Sequence, residues 1–337
     1  MIRFAWLQSR TQALTAAVLL GALAVVAAIT GIQLSHLYSS FVASCHTGCE
    51  LATTQFLSHD QFMDHALDLV ALLAPALIGI FWGAPLLARE LETGTYRLVW
   101  NQCVSRSRWL ASKMAVVGLV SVSAATALTL TITWWYRALD RVGTNQYNVF
   151  DRRDIVPIAY AVFAFAAGAL IGAVIRRTLP AMATTLGVYT FARIATTIWI
   201  RPHVLSPAHK TTAFNAGQVG ITINGTANGP VAHIAAQGSG PPNSWTLSSH
   251  VVTNTGHVPT PAQLAAFAHQ YCPGPGNTRI GGPHTCINQA TKTFRLLVTY
   301  LPANKYWTLQ WLESGIFLAA AIVATLGCYW WITRRIS

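Results

Sequence analysis

Residues 88–113 read ARELETGTYRLVWNQCVSRSRWLASK and lie between two apolar runs, Leu67 to Leu87 and Met114 to Trp135, each long enough to cross a bilayer. The first run carries a single charge, Asp68, at its far end, and the second carries none. The charged stretch is therefore a loop at a membrane face. Within it Tyr96, Val99, Trp100 and Cys103 fall at i, i+3, i+4 and i+7, which is one face of a short helix, with Arg97 and Asn101 on the other side. Gly94 is placed to end the preceding helix, and Ser105 or Ser107 to cap the next one. A short helix lying on a membrane surface between two spans is a lever that a partner protein can push. The plainer alternative is a solvated loop that only obeys the positive-inside rule.

Working outward, the 337 residues are 53% hydrophobic and only 9% charged, with a mean hydropathy of +0.42. Soluble domains carry about 25% charged residues, so the composition predicts a multi-span membrane protein. The net charge of +12 does not point to nucleic acid, because no basic run is interleaved with aromatics and many Lys and Arg flank apolar runs. The apolar runs are Ala13 to Ile32, Leu67 to Leu87, Met114 to Trp135, Ile155 to Ile175, Leu179 to Ile200 and Leu309 to Ile332. The first is too long for the core of a cleaved signal peptide and reads as a retained helix. Six spans put both termini on one side, together with eleven Lys or Arg, and the positive-inside rule makes that side the cytosol. Arg137, Arg141, Arg152 and Arg153 speak against this assignment, although Asp140, Asp151 and Asp154 lie among them. The only acids on the cytosolic side are then Glu90 and Glu92, in a loop that also holds Arg89.

The expected architecture is an all-α polytopic membrane protein of six transmembrane helices, with a small mixed α/β extracytoplasmic domain between the fifth and sixth. Residues 1–200 form the membrane domain with its loop at 88–113, residues 201–308 the outer domain, and residues 309–337 the last span and a cytosolic tail. In the outer domain Gln218 to Asn224, Trp245 to Thr253 and Lys292 to Tyr300 read as strands, and Thr260 caps a helix running to about Gln270.

Cys45 and Cys49 lie in the first outer loop and Cys272 and Cys286 in the outer domain, which predicts bridges within each pair; pairing across the two loops is the alternative. All eleven histidines also fall outside, with His59, Asp60, Asp64 and His65 the densest group. None has the spacing of a known metal motif, so they read as loop histidines and no metal ligand is assigned. Inside the spans, Arg193 and Glu313 lie at similar depths and form either a structural ion pair or a polar spot on a translocation path. Gly168 with Gly172, and Gly315 with Ala319, have the spacing of helix-packing motifs. Pro75, Gly79, Gly83 and Pro85 make the second span bendable just before the loop.

No P-loop, nucleophile elbow, H-E-x-x-H or dinucleotide fingerprint is present, so the chain has no recognisable ATPase or hydrolase site of its own. Arg89-Glu90-Leu91-Glu92-Thr93-Gly94-Thr95 after a second span resembles the E-x-E-x-G-T type cytosolic signature of ABC type-2 exporter permeases of bacteria. Trp100-Asn101-Gln102, the segment Ser105 to Leu110 and Tyr306-Trp307-Thr308-Leu309-Gln310-Trp311 with Glu313 extend the likeness over nearly the whole chain. That resemblance implies a bacterial plasma-membrane permease, a homodimer or heterodimer among lipids, working with a separate ATP-binding cassette subunit. ATP and Mg would sit on that subunit, with no cofactor in this chain. It implies coupling roles for Arg89, Glu90, Glu92, Gly94, Tyr96, Arg97 and Trp100, and export of a hydrophobic or amphipathic substrate. Two other classes remain open: an ATP-coupled sensor or assembly protein signalling through its outer domain, and a membrane-embedded metal enzyme using the outer histidines.

Overall fold

A computed structural model describes residues 2–43, 45, 49–59, 61–96, 105–213, 219–226, 229–236, 238–271 and 283–335. The chain divides into two compact units, Met1–Pro202 with Tyr306–Ser337, and His203–Lys305.

The first unit is helical. In chain order it contains α1 (Ile2–Leu37), α2 (Glu50–His59), α3 (Gln61–Ile78), α4 (Ala84–Thr93), α5 (Arg106–Asp140), α6 (Val156–Ile175), α7 (Thr178–Ala195) and α8 (Arg201–Val204). It closes with α11 (Tyr306–Arg335), after the two helices of the other unit. Gly94 ends α4 with φ of 72°, a left-handed conformation that glycine adopts without strain. Ser105 caps α5 by accepting from the Arg108 N–H at 3.4 Å.

Among the described residues five stretches are long and apolar enough to cross a membrane: Arg10–Ser40, Gln61–Thr93, Arg106–Asp140, Val156–Ile175 and Ala303–Arg335. The sixth expected span, Leu179 to Ile200, is helical as α7 and a wide π turn (Thr196–Ile200) that runs on into α8. It is not among the five, because Thr184, Thr185, Thr190, Thr196, Thr197 and Arg193 dilute its apolar content. Most helices also run past the apolar runs that announce them, so α3 starts at Gln61 and carries both Asp64 and Asp68.

Helix α6 is the centre of this unit. It is apolar on every side, as a helix surrounded by protein must be. Its small residues admit the second span at backbone distance: a Cβ on Gly168 would lie 2.6 Å from the Gly79 carbonyl oxygen and 2.9 Å from Ala84 N. The converse also holds, since a Cβ on Gly83 would lie 2.6 Å from the Phe165 carbonyl oxygen. Gly79 and Gly83 sit in a π turn, Gly79–Gly83, that joins α3 to α4. The glycines that make the second span bendable are thus the ones that seat it on α6. By contrast, a Cβ on Gly315 meets nothing within 4 Å, so among the described residues the second small-residue spacing has no close packing partner.

The second unit holds β1 (Ala208–Thr212), β2 (Val219–Thr226), β3 (Gly229–Ala236), β4 (Trp245–Thr253), α9 (Pro261–Tyr271), α10 (Pro283–Thr293) and β5 (Phe294–Leu301). One antiparallel sheet runs β1-β5-β4, and β2 and β3 form a separate antiparallel pair. Phe267, Cys286, Ala290, Phe294, Leu296 and Val298 make its core. Thr260 and Gln263 cap α9 reciprocally, through bonds of 3.3 and 2.9 Å. Strands β1 and β3 and helix α10 escape a pattern reading, β1 because AHKTT has no apolar alternation.

Candidate functional site

The charges of the helical unit gather at the two ends of the bundle. At the end far from the 88–113 loop, Arg193 and Glu313 do approach each other, at 3.7 Å. They belong to a larger cluster. The Arg201 guanidinium grips Glu313 in a fork, Nε to Oε2 at 3.0 Å and Nη2 to Oε1 at 2.9 Å, and also donates to Asp151, Nη2 to Oδ1 at 2.5 Å and Nη1 to Oδ2 at 3.2 Å. Arg193 reaches Asp151 at 3.3 Å and lies 3.8 Å above the Tyr160 ring. The Tyr160 hydroxyl donates to Glu313 and lies 3.1 Å from Asp151. Two arginines and two carboxylates balance, with Glu313 only 3% exposed. Burying such ions is tolerable only with this degree of pairing.

Sequence reasoning finds two members of the cluster and misses Asp151, Tyr160 and Arg201. Arg201 is eight residues beyond Arg193, which in an α-helix leaves it about 80° off the same face. The intervening π turn takes up the difference and brings both guanidiniums to one carboxylate pair. Asp151 lies in the α5–α6 connection with a side chain 36% exposed. Burial works to raise its carboxyl, but Arg201 and Arg193 outweigh that and hold it at about 2.

Next to this cluster Gln310, fully buried, satisfies all its groups: Oε1 accepts from Val156 N at 3.1 Å, and Nε2 donates to the Phe150 carbonyl and the Tyr306 hydroxyl, each at 3.2 Å. Tyr306, Gln310 and Glu313 share the buried face of α11, while Trp307 and Trp311 are 54% and 66% exposed. Such indoles suit a membrane interface.

Asp68, which looks incidental in the sequence, is paired: Arg152 Nε lies 2.6 Å from Asp68 and its Nη1 3.1 Å from Asp64, with Tyr136 bonded to the same Asp64 oxygen. Arg153 Nη1 donates to both Asp140 oxygens, at 2.8 and 2.9 Å, and its Nε lies 3.5 Å from Asp154. Two of the arginines that speak against the topology are therefore neutralised. Among the described residues no group of three or more His, Cys, Asp or Glu is placed to hold a metal.

At the loop end the structure assigns new surroundings to the expected coupling residues. Glu90, 8% exposed, is salt-bridged to Lys113 of α5, whose ammonium also lies 5.1 Å over the Trp109 ring. It presents no open carboxylate at the surface. Glu92 is exposed and accepts from the N–H and hydroxyl of Thr178, at 2.9 and 2.6 Å, at the start of α7. Arg89 is exposed, and Tyr96 packs against the buried cluster that includes Leu87, Leu91, Trp109 and Ile332. Arg97, Trp100 and Cys103 lie outside the described residues. Cys45 and Cys49 form a disulfide. Cys286 is disulfide-bonded, and Cys272 lies outside the described residues.

Several apolar helices around a buried central one, with their charges gathered at the two ends, define a multi-pass membrane protein. The family described as ABC-2 membrane transporter related matches residues 17–201, over half of the chain, and the chain belongs to that family. It is an ABC-2 type permease. No curated protein and no solved structure matches it.

Proposed function

We propose that this chain is the membrane-spanning subunit of an ATP-driven exporter. A separate ATP-binding cassette subunit, carrying ATP and Mg, pushes the 88–113 loop around Tyr96, and two permeases associate to enclose a path for a hydrophobic or amphipathic substrate. The observation that carries this reading is the way the end of α4 is fastened. Glu90 ties it to α5 through Lys113, and Glu92 ties it to the first residue of α7. Displacement of the loop is thereby passed to two further helices instead of being absorbed locally. Membership of the ABC-2 family supports the same conclusion. The excess of Lys and Arg in the 88–113 loop and beside the termini supports termini in the cytosol of a bacterial plasma membrane. A sensor role draws on one observation, the packed core that the His203–Lys305 unit has of its own.

The test is a charge swap in the purified assembly, after mass spectrometry has established whether a P-loop ATPase accompanies the chain in a fixed ratio. Glu90→Lys and Lys113→Glu each remove the permease-dependent stimulation of ATP hydrolysis, and the double swap restores it. Unchanged stimulation in both single variants would refute the coupling role. Intact coupling without vectorial flux, together with an outer-unit ligand that alters ATP hydrolysis, would favour the sensor.

A further inference from the structure

At the far end of the bundle, the ends of α1 and α5, the start of α3 and the Thr144–Val149 segment enclose a cavity of about 270 Å³. This is near the lower end of the range of small-molecule sites, which is about 300–1,000 Å³. Its walls are largely apolar and aromatic, with Leu34, Phe56 and Trp135 prominent. Its polar groups come from Gln61, Asp64, Tyr136, Thr144, Asn148 and Arg152, and the charged ones are Asp64 and Arg152. The charge arithmetic is uneven. The Arg152 Nε and Nη1 donors are taken up by Asp68, Asp64 and Tyr136, so two carboxylates face one guanidinium. Both hydrogen bonds to Asp64, from Tyr136 and from Arg152, fall on Oδ1. Oδ2 accepts from no described residue, and the Asp64 side chain stays 35% exposed. An aromatic-walled cavity whose acid keeps one unused oxygen selects a particular chemistry: a cation with N–H donors attached to an apolar body.

We infer that this cavity binds an amphipathic organic ammonium ion, its charged nitrogen on Asp64 and its apolar body between Phe56 and Trp135. Anions are disfavoured by Asp64 and Asp68 together, and a neutral ligand of the same shape leaves the Asp64 oxygen without a donor. The cavity is lined by described residues of this chain, so binding does not require that the chain be an exporter and needs no ATP-binding subunit. If the reading above is also correct, such amines are the substrate class to try first.

The experiment uses the full-length protein in lipid nanodiscs, with empty nanodiscs as the blank, and measures binding of 4-phenylbutylamine and its neutral analogue 4-phenylbutanol by calorimetry. The amine is expected to bind saturably and at least about tenfold more tightly than the alcohol, the margin a charge-assisted hydrogen bond supplies. Asp64→Asn removes that preference, whereas Asp68→Asn, the same charge change one turn away on α3 and off the cavity wall, largely keeps it. Asn148→Trp, at an exposed position on the wall, blocks binding of both compounds. Equal affinity for amine and alcohol in the wild-type chain overturns the proposal without reliance on any variant. So does uptake no greater than by empty nanodiscs, or an equal effect of the two aspartate changes. None of these readouts involves ATP hydrolysis, so failure here and failure of the coupling test remain distinguishable.

Discussion

Replacing Gly168 by alanine adds one methyl group where the second span lies against the backbone of α6. The added Cβ lies 2.6 Å from the Gly79 carbonyl oxygen, 2.9 Å from Ala84 N and 3.2 Å from Gly83 C, whereas ordinary contact begins at 3.4 Å. All three are backbone atoms, so no rotamer change relieves the overlap and the π turn itself must retreat by roughly 0.8 Å. Overpacking of this kind costs about 1–3 kcal/mol. Gly315→Ala is the matched control. It is the same change inside another spanning helix, but its Cβ meets nothing within 4 Å, and it gains the propensity advantage of alanine, up to about 1 kcal/mol. Thermal unfolding of the two variants in nanodiscs, followed by tryptophan fluorescence, should lower the midpoint for Gly168→Ala and leave or raise it for Gly315→Ala. Equal shifts would refute the assignment of the α6 glycines to the contact with Gly79 and Gly83. A loss confined to Gly315→Ala would place the important small-residue contact on α11.

The far-end cluster makes two further predictions. Glu313→Gln leaves Arg201 and Arg193 with Asp151 alone and should destabilise the fold by about 3–5 kcal/mol, the usual consequence of removing one side of a buried pair. Combination with Arg193→Gln should cost less than the two changes added, and strict additivity in an unfolding titration would show that the residues are not coupled. Asp151 is held at about 2, below its unfolded value of about 3.9, so its contribution is complete above pH of about 4 and disappears as the pH falls through about 2. Asp151→Asn should remove that part of the acid-unfolding profile, and an unchanged profile between those values would show that the carboxylate is not stabilised by Arg201 and Arg193.

Much of this architecture is legible in the order of residues alone, because it depends on local rules. Apolar runs of membrane length announce the spanning helices, Gly94 marks the end of α4 and Ser105 the start of α5, and Thr260 announces α9. The approach of Arg193 and Glu313 follows from matched depth, since charges in apolar helices must find each other. Other features were not legible, for a common reason. Whether a residue has a partner depends on the path of another segment, and periodicity carries no record of that path. Gly168 and Gly315 look alike in sequence, yet only the first meets a backbone. Glu90 and Glu92 are two residues apart and read as one acidic pair, yet one is buried against Lys113 while the other holds the start of α7 in the open. Arg201 joins its cluster only because a single π turn rotates it onto the face of Arg193, and Asp68 gains its meaning only when the α5–α6 connection delivers Arg152. Helix placement is a matter of length and hydropathy along the chain; the ion networks and close contacts that hold the helices together are a matter of which faces meet in space.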